Sequence, residues 1–536
     1  MIDTIKNQLL KINNYTTSLI LLISIYIYGV LTFSGRYMDD AYITYRFAKN
    51  TAEGYLFAWN IGEMPIEGFS NPLWTIITSI FHVLGLLPIE NSTYYFATII
   101  IGFVLIHLYH YATKTLNINS LLVVFFISFF ILGDYFWHSM FNGLETFLQM
   151  AILYFCVYYL TKPLNKRNAW IMSILLMLLI LNRFEGFLYA IVVAVSYTVI
   201  HFKNGNYSKY IKWLPLITFV ITLFSVFLFR YLYFGELTPL SVEAKSSGKI
   251  KDLESIWILL QNKTGWTYVI NFFTTTNLIA LVPVFILVFF LKLKKELLFV
   301  VIPVIFLFGG SCLIAIQNGG DWMPGFRMLT PFAPILLLIF FMIFSRLKIN
   351  YTVSILQKAL FFSLIAISTY FGLFSTSDKH RFYFDRSYYY SSAKEVAQYW
   401  NSMLTSNEVY VTAVAGALPY GANSLIIKDF HGLVNPCVGR DENLRGNAFG
   451  KRKWSCMFAD NYIIQYVNTS GFAKEFDRHS KKNKVKFDVV VKNNNFVFSK
   501  GGSVTFIRQS NIKSLQIKDP SLKIISFDEY RKLHKF

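Results

Sequence analysis

Charged residues are scarce in this chain of 536 residues. Asp, Glu, Lys and Arg make up 15% of it, against about a quarter of a soluble domain. Hydrophobic residues make up 54%, and mean hydropathy is +0.45. Apolar segments of about 20 residues, long enough to cross a bilayer, recur between Leu19 and Phe374. This pattern excludes an ordinary soluble enzyme and predicts a polytopic α-helical membrane protein.

Cysteine is equally rare, with four residues in the whole chain. No Cys or His has the spacing of metal ligands, so no metal site is expected. Cys156 and Cys312 lie in apolar runs and are predicted to be buried thiols. Cys437 and Cys456 lie in a polar C-terminal region, where they can form a disulfide if that region is outside the cytoplasm.

Acidic residues are few, 30 against 50 basic ones, which gives a net charge of +20. Such a charge suits nucleic acid, but the Lys and Arg residues lie largely in short loops between apolar runs and in the C-terminal tail. Basic loops of this kind set the orientation of membrane helices. We therefore expect membrane lipids with anionic head groups as neighbours, and no nucleic-acid partner.

The loop charges also predict the topology. Lys6 and Lys11 place the N-terminus in the cytoplasm, and a retained first helix then delivers Asp39 and Asp40 to the outer side. Segment Asn71–Leu87 is apolar, but counting it as a span would put the basic loops KPLNKR and KLKKE outside. We interpret it as an interfacial helix, which leaves about eleven spans.

The chain therefore divides into a transmembrane domain, residues 1–374, and a C-terminal domain, residues 375–536, which lies outside the cytoplasm by this topology. In the second domain VYVTAVAGALPY predicts a strand, a glycine turn and then a helix or loop. FDVVV, FVFSK, VTFIR and KIISF predict short strands. We expect a mixed α/β domain that has a possible role in glycan binding.

The stretch RYMDDAYITYR places two adjacent carboxylates directly after the first apolar run. If the segment is helical, Asp39, Tyr42 and Arg46 share one face, because they are spaced i, i+3 and i+7. Acids at a helix end often just meet lipid head groups. A partly desolvated carboxylate at the membrane surface can instead act as a general base.

Further outer loops carry cations beside acids. Arg183 and Glu185 form either an ion pair that holds their loop or a cation site for an anionic substrate. In GGDWMPGFR, Arg327 suits a phosphate, because a guanidinium group donates paired hydrogen bonds. Lys245 is a weaker candidate of the same kind, and a lone histidine such as His138 is more often structural.

These motifs together resemble the GT-C superfamily of integral-membrane glycosyltransferases. The likeness is greatest to the branch of terminal arabinofuranosyltransferases of actinobacterial cell walls. The segments that carry it are DDAYITYRFAKN, GEMPIEGFSNPLW, Gly143-Leu-Glu145, Arg183-Phe-Glu-Gly186 (where the family usually has R-P-E-G), FGELTPLSVEAK, GGDWMPGFRMLTPFAP and AGALPYGANSLIIKDFHGLVNPCVGR. In the last segment Val438-Gly439 replace the residues usual before Arg440.

The resemblance implies a GT-C fold in a bacterial plasma membrane and a polyprenyl-phosphate sugar as donor. It implies a glycan or protein acceptor and inversion at the anomeric carbon. Asp39 would be the base and Asp40 its orienter, with no cofactor and no divalent metal required. Arg183, Lys245 and Arg327 would contact the donor phosphate. The other expected substrate contacts are Tyr42, Arg46, Glu67, Asn71, Trp74, His138, Glu145, Glu185 and Asp321.

Two other functions remain open at this point. A transporter or flippase of lipid-linked sugars would have ionisable residues near mid-membrane and internal repeats, and the sequence shows neither pattern clearly. A membrane protein that only holds glycans would not need the acid pair.

Overall fold

The structure is a computed structural model. It describes residues 2–33, 37–202, 209–245, 261–276, 278, 295–321, 323, 325–346, 395–405, 408–412, 415–422, 425–440, 462–467, 478, 482, 487–492 and 503–534. Contacts divide the chain into two compact units. Unit 1 comprises Met1–Tyr37, Leu87–Val226 and Ile250–Phe384, and unit 2 comprises Met38–Leu86, Phe227–Lys249 and Asp385–Phe536. This division follows compactness and not position in a membrane, so the sequence-based boundary between residues 374 and 375 stays a prediction.

Helices account for most of the described chain. In chain order they are α1 Ile2–Thr32, α2 Asp39–Ala52, α3 Pro72–Leu84, α4 Ile89–His110, α5 Ser120–Ile131, α6 Asp134–Met140, α7 Thr146–Leu160, α8 Lys166–Asn182, α9 Gly186–His201, α10 Lys209–Phe234, α11 Leu240–Lys245, α12 Lys263–Thr275, α13 Lys295–Gln317, α14 Ala333–Arg346, α15 Ala417–Gly421, α16 Pro436–Gly439, α17 Ile512–Lys518 and α18 Phe527–His534. A π-helical turn, Tyr111–Thr115, continues α4, and a 3₁₀ turn, Thr330–Phe332, precedes α14.

Four helical segments within the described residues are long and apolar enough to cross a membrane. They are Asn14–Thr32, Ile89–Thr115, Ile211–Phe234 and Leu297–Gln317. Their outward faces carry exposed Leu, Ile, Phe and Val side chains, as expected of helices that face lipid. The chain is therefore a helical membrane protein in its general class, as predicted.

The predicted count of about eleven spans is wrong for the part of the chain that the structure describes. Apolar runs that suggested spans form helices of 10–17 residues, among them α5, α7 and α9. A helix rises about 1.5 Å per residue, so 15 residues cover about 23 Å of a hydrocarbon core that is about 30 Å thick. The predicted spans at 354–374 and in the second half of 268–291 lie outside the described residues.

Unit 2 contains a sheet of six strands among its described residues. The strands are β1 Val409–Thr412, β2 Ile426–Asp429, β3 Tyr462–Val467, β4 Phe487–Lys492, β5 Ser503–Arg508 and β6 Lys523–Ser526, in the order β2-β1-β3-β5-β4-β6. β1 pairs in parallel with β2 and β3, and the other pairings are antiparallel. The predicted strand, turn and helix at 409–421 are confirmed, as are three of the predicted short strands. FVFSK lies outside the described residues.

Candidate functional site

The helical face predicted from Asp39, Tyr42 and Arg46 exists. Residues 39–52 form α2, and all three side chains are buried. Asp39 and Asp40 occupy the first turn of this helix, where negative charge is favourable. The face packs within unit 2 on the backbone of residues 416–422 and of Leu425, with the rings of Tyr42 and Tyr420 5.5 Å apart. We call Asp39, Tyr42, Arg46 and the backbone of 416–422 and Leu425 the aspartate cluster.

Backbone amides hold the Asp39 carboxylate from both sides. Gly416 N donates to Oδ2 at 3.0 Å, and Ala417 N donates to Oδ1 at 2.7 Å. Gly416 has to be glycine here, because an added Cβ would lie 1.7 Å from the carbonyl oxygen of Asp39. Each carboxylate oxygen keeps a second lone pair for another donor.

Burial makes Asp39 a weak acid. The side chain is 7% exposed, and its pKa is raised to about 7. Desolvation is the main cause, and the neighbouring charge of Asp40 adds to it. The two amide hydrogen bonds oppose the shift without cancelling it. A carboxyl with this pKa exchanges its proton near neutrality, which a general base must do.

Arg46 is fully buried and uses every N–H group of its guanidinium. Nε donates to Trp59 O at 2.9 Å, and one Nη donates to Pro419 O and to Ala422 O. The other Nη donates to Asn60 Oδ1 and Leu425 O. Burial lowers its pKa to about 9. This geometry favours a structural role for Arg46 over the predicted substrate contact.

Glu67 makes an ion pair that the sequence analysis missed. Its carboxylate accepts bonds of 2.8–3.0 Å from Nε and Nη2 of Arg230, and both side chains are buried. Arg230 lies in the apolar helix α10, and an ionisable residue in such a run is a signal that could have identified it. The pair connects the loop before α3 to α10. Glu67 therefore has a structural partner within the chain.

Asn71 and Trp74 contribute to the packing of α2 on α3. Asn71 Oδ1 accepts a hydrogen bond of 3.2 Å from Thr44 Oγ1. The ring of Trp74 is completely buried. Both predicted substrate contacts therefore lie in the interior of unit 2.

A second buried aspartate in unit 2 has a purely local role. Asp429, at the end of β2, accepts hydrogen bonds from the backbone N–H groups of His431, Leu433 and Val434. Burial raises its pKa as well. All three bonds close one tight turn. Asp429 is therefore a buried aspartate bound by backbone amides, like Asp39, but its role is to hold that turn.

The predicted residues of unit 1 form a network of ion pairs. Arg183 Nη1 lies 2.7 Å from Glu145 Oε1, and its Nε lies 2.5 Å from Glu185 Oε1. Burial alone would lower the pKa of Arg183, but the two carboxylates outweigh burial and raise it above the ordinary value. The structure contains the ion pair that was one of the two alternatives for Arg183, and a contact of Arg183 with an anionic substrate stays a prediction.

Arg327 pairs in the same way with Asp321. Both side chains interact electrostatically with Tyr268, and Tyr268 also interacts electrostatically with Arg183. The loops at 183–185 and 319–327 therefore converge within unit 1. We call Glu145, Arg183, Glu185, Asp321 and Arg327 the arginine cluster.

The remaining predicted residues are His138, Lys245 and the four cysteines. His138 packs edge-on against Phe33 at 5.9 Å between ring centroids. Lys245 ends α11, but its side chain lies outside the described residues. Cys156 and Cys312 are free thiols, and only Cys156 is fully buried. Cys437 is disulfide-bonded, and its predicted partner Cys456 lies outside the described residues.

Known proteins add no information on identity. The chain matches no family model, and no curated protein matches it in sequence. The resemblance to GT-C glycosyltransferases therefore depends on the sequence motifs alone.

Proposed function

We propose that the chain is a polyprenyl-phosphate-sugar-dependent glycosyltransferase of the GT-C class, with Asp39 as general base. The observation that supports this best is the state of Asp39, a buried carboxyl with a pKa of about 7. It lies a few residues after Asn14–Thr32, a segment long enough to cross a membrane. A base next to the bilayer suits a donor whose prenyl chain is held in the lipid.

The proposed chemistry is a direct displacement. Asp39 takes the proton of an acceptor hydroxyl, and the hydroxyl oxygen forms a bond to the anomeric carbon of the donor sugar. The bond from that carbon to the phosphate oxygen breaks, and polyprenyl phosphate leaves with the electron pair. Attack from the face opposite the phosphate inverts the anomeric carbon. Asp40 would orient the base or the acceptor, and arabinofuranose is the first candidate for the sugar.

The proposed orientation has the N-terminus in the cytoplasm, with Asp39 and residues 375–536 outside. Lys6 and Lys11 before the first span support it. Reporter fusions at the two ends of the chain should then report opposite sides of the membrane. Reporters active on the same side would contradict this orientation.

A transporter of lipid-linked sugars is the second candidate, and Arg230 favours it. An arginine within an apolar helix commonly marks a transport path. Against this, Glu67 already satisfies Arg230 with a bidentate pair. The Glu67→Leu/Arg230→Met double variant should keep its activity if the pair is only structural, and should lose it if Arg230 takes part in transport.

The test of the proposed function compares two buried aspartates. In membranes that contain the full chain, donors are offered as polyprenyl-phosphate arabinofuranose, glucose, galactose and mannose. We expect Asp39→Asn to lower sugar transfer by about 10²–10⁴-fold, the usual contribution of a general base. Asp429→Asn is the matched control, since it also removes a buried, amide-bound charge. It should cost stability but retain transfer in the protein that folds. Transfer by Asp39→Asn at the wild-type rate would disprove the assignment.

A further inference from the structure

Helix α3 directs a row of aliphatic side chains outward. Ile76, Ile80, Val83 and Leu84 are 43–69% exposed. Their spacing is i, i+4, i+7 and i+8, so they lie along one face of the helix. We call these four residues the aliphatic stripe. The helix contains no Asp, Glu, Lys or Arg, so none of its own side chains places a full charge beside the stripe.

The opposite face of α3 carries hydroxyl groups and is buried. Thr75, Thr78 and Ser79 are 0–7% exposed. Their hydroxyls donate to carbonyls of the same helix, for example Thr78 Oγ1 to Trp74 O at 2.7 Å and Ser79 Oγ to Ile76 O at 2.8 Å. A helix at the water-exposed surface of a globular protein has the reverse arrangement, with its apolar face inward. The medium outside the stripe is therefore expected to be apolar.

The end of a candidate span lies in the same unit as α3. Residues 227–234, the end of the segment Ile211–Phe234, belong to unit 2. The rings of Phe69 and Phe234 are 6.4 Å apart, and α3 begins soon after Phe69, at Pro72. The start of α3 is thus close to the end of a segment long enough to cross a membrane. Lipid is therefore the occupant that this exposed apolar face fits best.

The length of α3 suits a helix that lies along the membrane surface. Its 13 residues rise about 20 Å, which is too short for a hydrocarbon core about 30 Å thick. Interfacial helices bury their apolar face about 5–10 Å into the boundary between head groups and acyl chains. Loop charges alone predicted an interfacial position for Asn71–Leu87. The structure adds which face is available to lipid.

Helix α3 also supports the helix of the aspartate cluster. α2 packs on α3, and Asn71 Oδ1 accepts a hydrogen bond of 3.2 Å from Thr44 Oγ1 between buried side chains. Asp39 begins α2 and binds the amides of Gly416 and Ala417. A contact between α3 and lipid therefore affects the position of Asp39.

We propose that α3 lies in the membrane interface with the aliphatic stripe among the lipid acyl chains, and that this contact holds the aspartate cluster at the membrane surface. Removal of the four side chains from water supplies the attraction. No particular head group is required, since α3 carries no Asp, Glu, Lys or Arg. The partner is the acyl-chain region of a fluid bilayer, and the inference does not depend on the proposed reaction.

Spin labels locate the stripe relative to the lipid. The full chain in phosphatidylcholine nanodiscs carries a nitroxide at Ile80→Cys or Leu84→Cys. Cys156 is fully buried, so only Cys312 is first replaced by alanine. Ile517→Cys and Leu533→Cys are matched controls, because these residues are exposed on helices that carry charged residues. Oxygen should relax the stripe labels more than a water-soluble nickel chelate does, at a depth of about 5–10 Å, and the controls should show the reverse.

Amide exchange tests the coupling to the aspartate cluster. A carboxylate is tolerated on a face in water but opposes insertion among acyl chains. In nanodiscs, Ile80→Asp/Leu84→Asp should exchange the Gly416 and Ala417 amide hydrogens about tenfold faster than the wild type, because Asp39 is displaced. Ile517→Asp/Leu533→Asp is the matched control and should exchange them at the wild-type rate. If the stripe variant does not fold, the spin labels still decide the position of α3.

Three outcomes would overturn the proposal. Stripe labels that respond to the nickel chelate as the controls do would place the stripe in water. Stripe labels shielded from both reagents would indicate a protein partner or a second copy of the chain. Wild-type amide exchange in the folded Ile80→Asp/Leu84→Asp variant would remove the coupling. Neither measurement uses turnover, so an active Asp39→Asn variant would reject the proposed base and leave these results unaffected.

Discussion

The aspartate cluster and the arginine cluster bury charge in two different ways. In unit 2, neutral amides bind the carboxylate of Asp39, and neutral oxygens accept every N–H group of the Arg46 guanidinium. In unit 1, Arg183 and Arg327 are bound by carboxylates. Amides oppose the desolvation of Asp39 only in part, so its pKa rises to about 7. The two carboxylates beside Arg183 instead raise its pKa above the ordinary value, although burial alone would lower it.

This difference separates two chemical tasks. A group that exchanges a proton near neutrality can serve a reaction, whereas a charge held in an ion pair can orient other groups. The proposed base therefore belongs to the cluster that lacks a direct countercharge.

Breaking an ion pair of the arginine cluster should have the largest effect on stability. Arg183→Met leaves Glu145, which is 3% exposed, without its guanidinium partner. Loss of one partner of a buried pair should lower the free energy of unfolding by about 4 kcal/mol. Denaturant unfolding in detergent measures this. The Arg183→Met/Glu145→Leu double variant should recover much of the loss, and no recovery would mean that the pair itself contributes little.

Gly416→Ala should disturb the aspartate cluster almost as strongly. The new methyl group would lie 1.7 Å from Asp39 O, so the backbone of 416–417 must move away from the carboxylate. We expect a loss of about 3 kcal/mol in stability together with a loss of transfer activity. Gly309→Ala is the control, because an added Cβ there meets nothing within 4 Å. A fully stable, active Gly416→Ala protein would contradict the close contact.

Arg46→Lys tests whether neutral acceptors alone can hold a buried cation. Lysine has three N–H groups where Arg46 uses five, so buried carbonyls lose their donor. We expect a loss of about 2 kcal/mol in the free energy of unfolding. Arg440→Lys should change it by less than about 0.5 kcal/mol, since Arg440 and Glu236 are about 40% exposed. Equal losses of stability for Arg46→Lys and Arg440→Lys would show that the buried hydrogen bonds of Arg46 contribute no more than an exposed ion pair.

The pH dependence of transfer tests the same comparison through activity instead of through the stability of variants. Transfer should rise about tenfold per pH unit below the pKa of Asp39 and level off above about 7, because the base must be deprotonated. The Asp429→Asn variant should show the same rise of transfer with pH below about 7. A flat profile between pH 5 and 8 would exclude Asp39 as the titrating base.

Stability should change in the opposite direction to activity. The pKa of Asp39 is raised from 3.8 to about 7 in the folded protein, so the folded state holds a proton that the unfolded state has lost. This contribution to stability is complete below pH 3.8 and disappears as pH rises through about 7. Asp39→Asn, which stays neutral, should not lose stability over that window. Unfolding midpoints of the two proteins across the window measure the difference.

The local parts of the fold were predictable. The spacing of Asp39, Tyr42 and Arg46 identified one face of α2 correctly, since helical periodicity is a property of neighbouring residues. Apolar runs located the helices, and short runs rich in β-branched and aromatic residues located β4, β5 and β6. The number of spans was overestimated, because apolar runs that form helices of only 10–17 residues were counted as spans.

Distant pairing was not predictable. Neither residue of the pair formed by Glu67 and Arg230 indicates the other, and they are 163 positions apart in sequence. Arg46 looked like a cation for a substrate until its donors met the carbonyls of Pro419, Ala422 and Leu425. The sequence also did not show that Arg183 pairs with both Glu145 and Glu185.

By itself, the sequence determined that the chain belongs in a membrane, which residues lie on the face of α2, and that an acid pair begins that helix. Only the tertiary structure decided that Asp39 is buried against Gly416 and Ala417 and that its pKa lies near 7. The reason is physical. Hydropathy and helical period depend on residues close in sequence, whereas desolvation and the choice of hydrogen-bond partners depend on chain segments that meet only when the protein folds.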